Sequence, residues 1–171
     1  KVARLLVVGK DALTSFTRTW AWTIDKSVTP SSWTLFTGDA GTSQYTVAVA
    51  KTGYTDSAWT ATGTITIQNP DPYFAARIDA VTDTISGLGS VPVSCGVAFP
   101  YDLAPGATLA CTYAAALPDA SARTNSVTVV TSGGSKVEGG SATAAIACSS
   151  RCRSYCGSAP TISITCGSLE R

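Results

Sequence analysis

Histidine is missing from the 171 residues altogether, and so is methionine. Without histidine the chain lacks the usual general base at neutral pH and the commonest metal ligand, which excludes Ser-His-Asp hydrolysis, Cys-His proteolysis and His-bound zinc hydrolysis. Charge is scarce as well. Only 13% of residues are charged, and twelve basic against eleven acidic side chains leave a formal net charge of +1. That balance gives no electrostatic footprint for a nucleic acid or an anionic membrane. The apolar run Leu5-Leu6-Val7-Val8 falls far short of the ~20 residues a membrane span needs, so no membrane insertion is expected. It is also shorter than the apolar core of a signal peptide, and with Lys1 in first place the chain reads as a mature protein or an excerpt from a longer one. Asn69 precedes Pro and Asp, and Asn125 precedes Ser and Val, so neither heads a glycosylation sequon. Any sugar is expected on hydroxyls. No EF-hand, glycine-rich phosphate loop or useful helical stripe is present.

What remains is a mixture of Ala and Val with Thr, Ser and Gly, the composition of short strands joined by tight turns. Period-two alternation, the signature of a strand, places Trp20, Trp22 and Ile24 on one face of an early segment. It does the same for Tyr45, Val47 and Val49, and for Trp59, Ala61, Gly63, Ile65 and Ile67, all of which are expected to face inward. Gly63 in the middle of the last run suggests a bend or bulge. Asn69-Pro70-Asp71-Pro72 stops it, since neither proline can donate to a ladder. Further strands are expected over 76–81, 90–95 and 107–113, with a turn at Pro105-Gly106, and a closing hairpin is expected from 125–131 and 141–147. The fold class read from this pattern is all-β: an immunoglobulin-like two-sheet sandwich over 16–147, a lead-in or end of a preceding module over 1–15, and a small Cys-rich tail over 148–171.

Six cysteines in so uncharged a chain read as a disulfide framework, which persists in an oxidising, extracellular setting. Cys95 and Cys111 fall on consecutive strands at inward positions beside Val93 and Leu109, where a bridge would tie neighbouring strands. Cys148, Cys152, Cys156 and Cys166 crowd the tail, and sequence alone leaves their three possible pairings open. A zinc site is the competing reading, weakened by the lack of His and of paired C-x-x-C knuckles.

Among carboxylates, Asp71, Asp79, Asp83 and Glu138 are formal candidates for glycoside hydrolysis. Asp79 and Asp83, four apart in a strand and its turn, read as ordinary solvated positions, and no enzymatic role is expected. Asp39 in a glycine turn and Asp71 beside the prolines resemble places where extracellular sandwiches gather oxygen ligands for calcium, against the plainer role of capping their own backbone. No other cofactor is implied. Trp33, in a Ser- and Thr-rich loop, is the tryptophan expected to be exposed and able to stack on a sugar, whereas Trp20, Trp22 and Trp59 read as core. Polar faces rich in Thr and Ser and poor in Lys leave sheet edges open to pairing with other chains.

The segments Trp20-Ala-Trp-Thr-Ile-Asp-Lys26, Tyr45-Thr-Val-Ala-Val49, Gly63-Thr-Ile-Thr-Ile-Gln-Asn-Pro70, Val81-Thr-Asp83, Leu103-Ala-Pro-Gly106, Cys111-Thr-Tyr113 and Asn125-Ser-Val-Thr-Val129 resemble the immunoglobulin-like repeats of large surface proteins. Such repeats occur in bacterial cell-surface proteins and, with this Ala- and Cys-rich character, in green-algal mastigoneme-like proteins, which form hairs on flagella. The resemblance implies a structural module of an extracellular filament or cell-surface glycoprotein, at a flagellar or ciliary surface in the algal case. Its partners would be neighbouring modules or copies of the same protein, with glycan or glycoprotein contacts. A carbohydrate-binding adhesion module is the alternative. The Cys-rich tail departs from a plain repeat and puts simple tandem repetition in doubt.

Overall fold

The computed structural model describes residues 4–147 and the backbone of 153–154 and 161–167. In chain order the strands are β1 (Arg4–Leu5), β2 (Val7–Lys10), β3 (Leu13–Thr29), β4 (Gln44–Gln68), β5 (Ala76–Ile85), β6 (Gly89–Val91) and β7 (Val93–Ser94). They continue with β8 (Tyr101–Leu103), β9 (Thr108–Ala116), β10 (Arg123–Thr131), β11 (Val137–Glu138), β12 (Gly140–Ile146), β13 (Arg153–Ser154) and β14 (Thr161–Gly167). No helix interrupts them among the described residues, and the chain is all-β.

One sheet has five strands, ordered β12-β10-β5-β6 with β8 also on β5; the other has seven, ordered β13-β14-β3-β4-β9-β7 with β2 also on β4. Both are antiparallel, while β1 and β11 form a small parallel pair. The core lies between the two larger sheets. Ile65, Ile67, Leu109, Cys111 and Tyr113 enter it from the seven-stranded sheet, and Ile78, Ile85, Leu103, Val127, Val129 and Ile146 from the five-stranded one. Leu6 and Ala12 are buried in the same cluster and β2 pairs with β4, so the segment read as a lead-in contributes directly to the sheets.

The punctuation around Asn69 becomes a buried lock. Its Nδ2 donates to the carbonyls of Phe74, Leu103 and Ala104 at 2.9, 3.0 and 3.2 Å, and its Oδ1 accepts from the Asp71 amide at 3.0 Å. Every polar atom of the side chain is thereby used, as burial requires. Gly106, with φ +70, closes the turn opposite, where a side chain would be strained. Gly63 marks a close approach rather than a bulge: an added Cβ would meet the Tyr113 ring at 2.7 Å. The bulge comes at Ala58, whose φ is +53, where Ala58 and Trp59 together oppose Phe16.

β3 and β4 outrun the rest of their sheet. β14 accompanies β3 only as far as Thr19, and β9 accompanies β4 only from Thr60 onward. Beyond those points the two strands continue alone as a hairpin to the pair Thr29 and Gln44, a two-stranded ribbon extending about 30 Å past the sheet. The expectation that Trp22, Ile24, Tyr45, Val47 and Val49 face a core is therefore corrected. Their alternation is genuine, but no second sheet lies against them, and all five are exposed. Trp20 and Trp59, also read as core, are half-buried near the base of the ribbon.

Candidate functional site

Opposed residues of an antiparallel pair share a face, and the register thus assigns the ribbon two unlike sides. Trp22, Ile24, Lys26 and Val28 lie opposite Lys51, Val49, Val47 and Tyr45 on one side; Thr23, Asp25, Ser27 and Thr29 lie opposite Ala50, Ala48, Thr46 and Gln44 on the other. A second bulge, between Ala21 and Trp22, keeps the Trp20 and Tyr54 pair in phase with the apolar side. That side continues the inward face of the seven-stranded sheet, since Phe16 and Thr14, two and three steps of two before Trp20, are buried. Trp22 is 54% exposed and Ile24 69%.

An isolated hairpin is marginal in water, and side chains brace this one at its base. Phe16 stacks on Trp59 with ring centroids 4.1 Å apart. Arg18 Nε and Nη2 donate to the two carboxylate oxygens of Asp56 at 2.6 and 2.7 Å, and the guanidinium lies 3.9 Å from the Tyr54 ring centre. The hydrogen bonds to Arg18 hold the Asp56 carboxyl below the usual aspartate range, and those to Asp56 raise Arg18. One step further out, the Lys51 ammonium sits 3.9 Å over the Trp20 ring, which meets Tyr54 edge-on. These cation–π contacts let cations sit on an aromatic surface without breaking it.

At the ribbon's tip Trp33 is 48% exposed, its Nε1 donating to Ser43 Oγ at 2.8 Å and its ring lying against Gly41. Trp33 is thus exposed as expected, but Trp22 in the ribbon is more so, and Phe36 in the tip loop reaches 86%. Asp39 stays within this loop, accepting the Phe36 amide at 3.1 Å. Asp71 accepts the Tyr73 and Phe74 amides at 2.8 and 2.9 Å and faces Arg4 at 3.8 Å. Asp39 and Asp71 stand in separate loops, and among the described residues no group of three or more Asp, Glu, Cys or His is arranged to hold a metal.

Cys95 and Cys111 are disulfide-bonded, linking the end of β7 to β9. Cys148, Cys152 and Cys156 lie outside the described residues; Cys166 is placed by its backbone alone, opposite Thr14.

A second constellation lies in the core. Lys10 ends β2, and its Nζ donates to Asp83 Oδ1 at 2.9 Å, with both side chains fully buried. Asn125 on β10 donates from Nδ2 to Asp83 Oδ2 at 3.2 Å, while its Oδ1 is buried without a hydrogen-bond partner. The Lys10 ammonium also lies 3.7 Å over the Tyr113 ring, whose hydroxyl donates to the Asp11 carbonyl at 2.7 Å. Burial pushes Lys10 below its ordinary range against the pull of Asp83, and pushes the Tyr113 phenol up. The reading of Asp83 as solvated is corrected: its exposure is 0%. The signal was available, because period two aligns Asp83 with Val81 and Ile85, and Asn125 with Val127 and Val129.

No family model, curated protein or solved structure matches this chain.

Proposed function

We propose that the chain is an immunoglobulin-like structural module of an extracellular filament or cell-surface glycoprotein, and that its ribbon packs apolar face to apolar face on a neighbouring copy. The observation carrying this reading is the ribbon itself: a sheet's inward face extended past its own second sheet and left exposed. A second copy is the occupant because its own apolar face offers the matching surface and a whole-chain net charge of +1 offers little overall repulsion between copies, with Lys26 and Lys51 the cations that an offset packing has to keep apart. A two-stranded face about 30 Å long presents roughly a few hundred Å² per copy, below what a stable free dimer needs. The pairwise contact is therefore weak and gains strength by repetition along an array. The Cys95 to Cys111 disulfide supports an oxidising, extracellular setting.

Sedimentation velocity over a wide concentration range tests the reading. Reversible association is expected, and the triple substitution Trp22→Ser, Ile24→Ser and Val49→Ser is expected to abolish it while the body stays folded. A chain that remains monomeric at millimolar concentration would overturn the proposal. A glycan-array signal lost on Trp33→Ala would instead favour the carbohydrate-binding alternative.

A further inference from the structure

Lys10, Asp83 and Asn125 come from three different strands, and Lys10 sits on the sheet opposite the other two. As a plain ion pair the cluster is poorly completed. A buried pair repays its desolvation only when the remaining donors and acceptors are satisfied, yet Asn125 Oδ1 has no partner and the Lys10 ammonium meets one carboxylate oxygen and the face of a ring. As a reactive set it is complete: an amine, a carboxamide, and a carboxylate holding one with each of its two oxygens.

We infer that Lys10 and Asn125 condense into an isopeptide bond that joins the two sheets, with Asp83 as the proton carrier. Lys10 Nζ, as the free amine, attacks Asn125 Cγ, and a C–N bond forms as the carbonyl π electrons move to Oδ1. Asp83 takes a proton from Nζ and delivers one to Nδ2. The C–Nδ2 bond then breaks, Oδ1 regains its double bond, and ammonia leaves. Amine plus carboxamide become secondary amide plus ammonia, with no oxidant, metal or other reactant. Three surroundings favour the step. The dry site disfavours the charged ammonium, which is the source of the lowered Lys10 proton affinity. Fixed strands hold the groups in place, and exclusion of water removes hydrolysis as a competitor. The Tyr113 ring roofs the Lys10 ammonium at 3.7 Å. The inference does not depend on the ribbon.

Mass spectrometry of the fully reduced and unfolded chain decides it. The folded wild-type protein is expected to weigh one ammonia less than its sequence, and digestion is expected to yield one branched peptide containing both Lys10 and Asn125. Asp83→Ala is expected to restore the full mass; should that variant fail to fold, the wild-type branched peptide still decides. A folded wild-type chain at full sequence mass would overturn the assignment, and so would loss of one water, which would place the bond on Asp83 itself.

Discussion

Single residues here carry more than their type announces. Arg18 and Asp56 form a two-toothed pair at the base of the ribbon, each less than a quarter exposed. Because Arg18 lowers the Asp56 carboxyl in the folded chain, the pair's contribution is complete above about pH 4, the ordinary aspartate value, and fades as pH falls through the lower folded value. Solvent screening keeps that contribution near about 1 kcal/mol or less. An acid titration of tryptophan fluorescence should show the ribbon base loosening below about pH 4, and Asp56→Asn should remove that transition. Asn69 is a second case. Replacing it with alanine removes three hydrogen bonds to carbonyls and one from an amide in a buried site, so Asn69→Ala is expected to cost about 3 kcal/mol in chemical denaturation.

At the scale of elements, alternation located most of the strands but not what covered them. The runs from Trp20 to Ile24 and from Tyr45 to Val49 alternate just as Ile65 to Ile67 does, because side-chain period reports which face a residue takes and not whether a second sheet lies opposite. The early runs pair with each other beyond the reach of β14 and β9, and only pairing lengths, which depend on distant segments, settle that. The same blindness hid Lys10, Asp83 and Asn125. Polarity argued for solvent, although period two aligned Asp83 and Asn125 with core valines and isoleucine. The Cys95 and Cys111 bridge was legible because both cysteines fall in phase with inward residues, Val93 and Leu109, of segments that pair as β7 and β9, although β8 intervenes between them in the chain. It closes a loop with a sequence separation of 16, and the double replacement Cys95→Ala and Cys111→Ala is expected to cost about 3 kcal/mol in denaturant unfolding under non-reducing conditions. The ribbon should be the least stable element. Its amides are expected to exchange with solvent faster than those of β5 and β10 in the dilute protein, since it buries little apolar surface.

The whole molecule combines a stapled body with a reaching arm. A covalent Lys10 to Asn125 link would bind β2, the first strand of the seven-stranded sheet, to β10 of the five-stranded sheet, so that tension on the chain bypasses most of the core. The arm, braced by Arg18, Phe16 and Trp59, presents an apolar face to whatever lies alongside. Both features suit a load-bearing array. That the arm's face meets a second copy is the central claim, and hydrogen exchange followed by mass spectrometry as a function of protein concentration tests it most directly. At high concentration, protection is expected to grow over residues 20–28 and 45–54 while the body stays unchanged. Protection that appears elsewhere, or no concentration dependence in the ribbon at all, would contradict it.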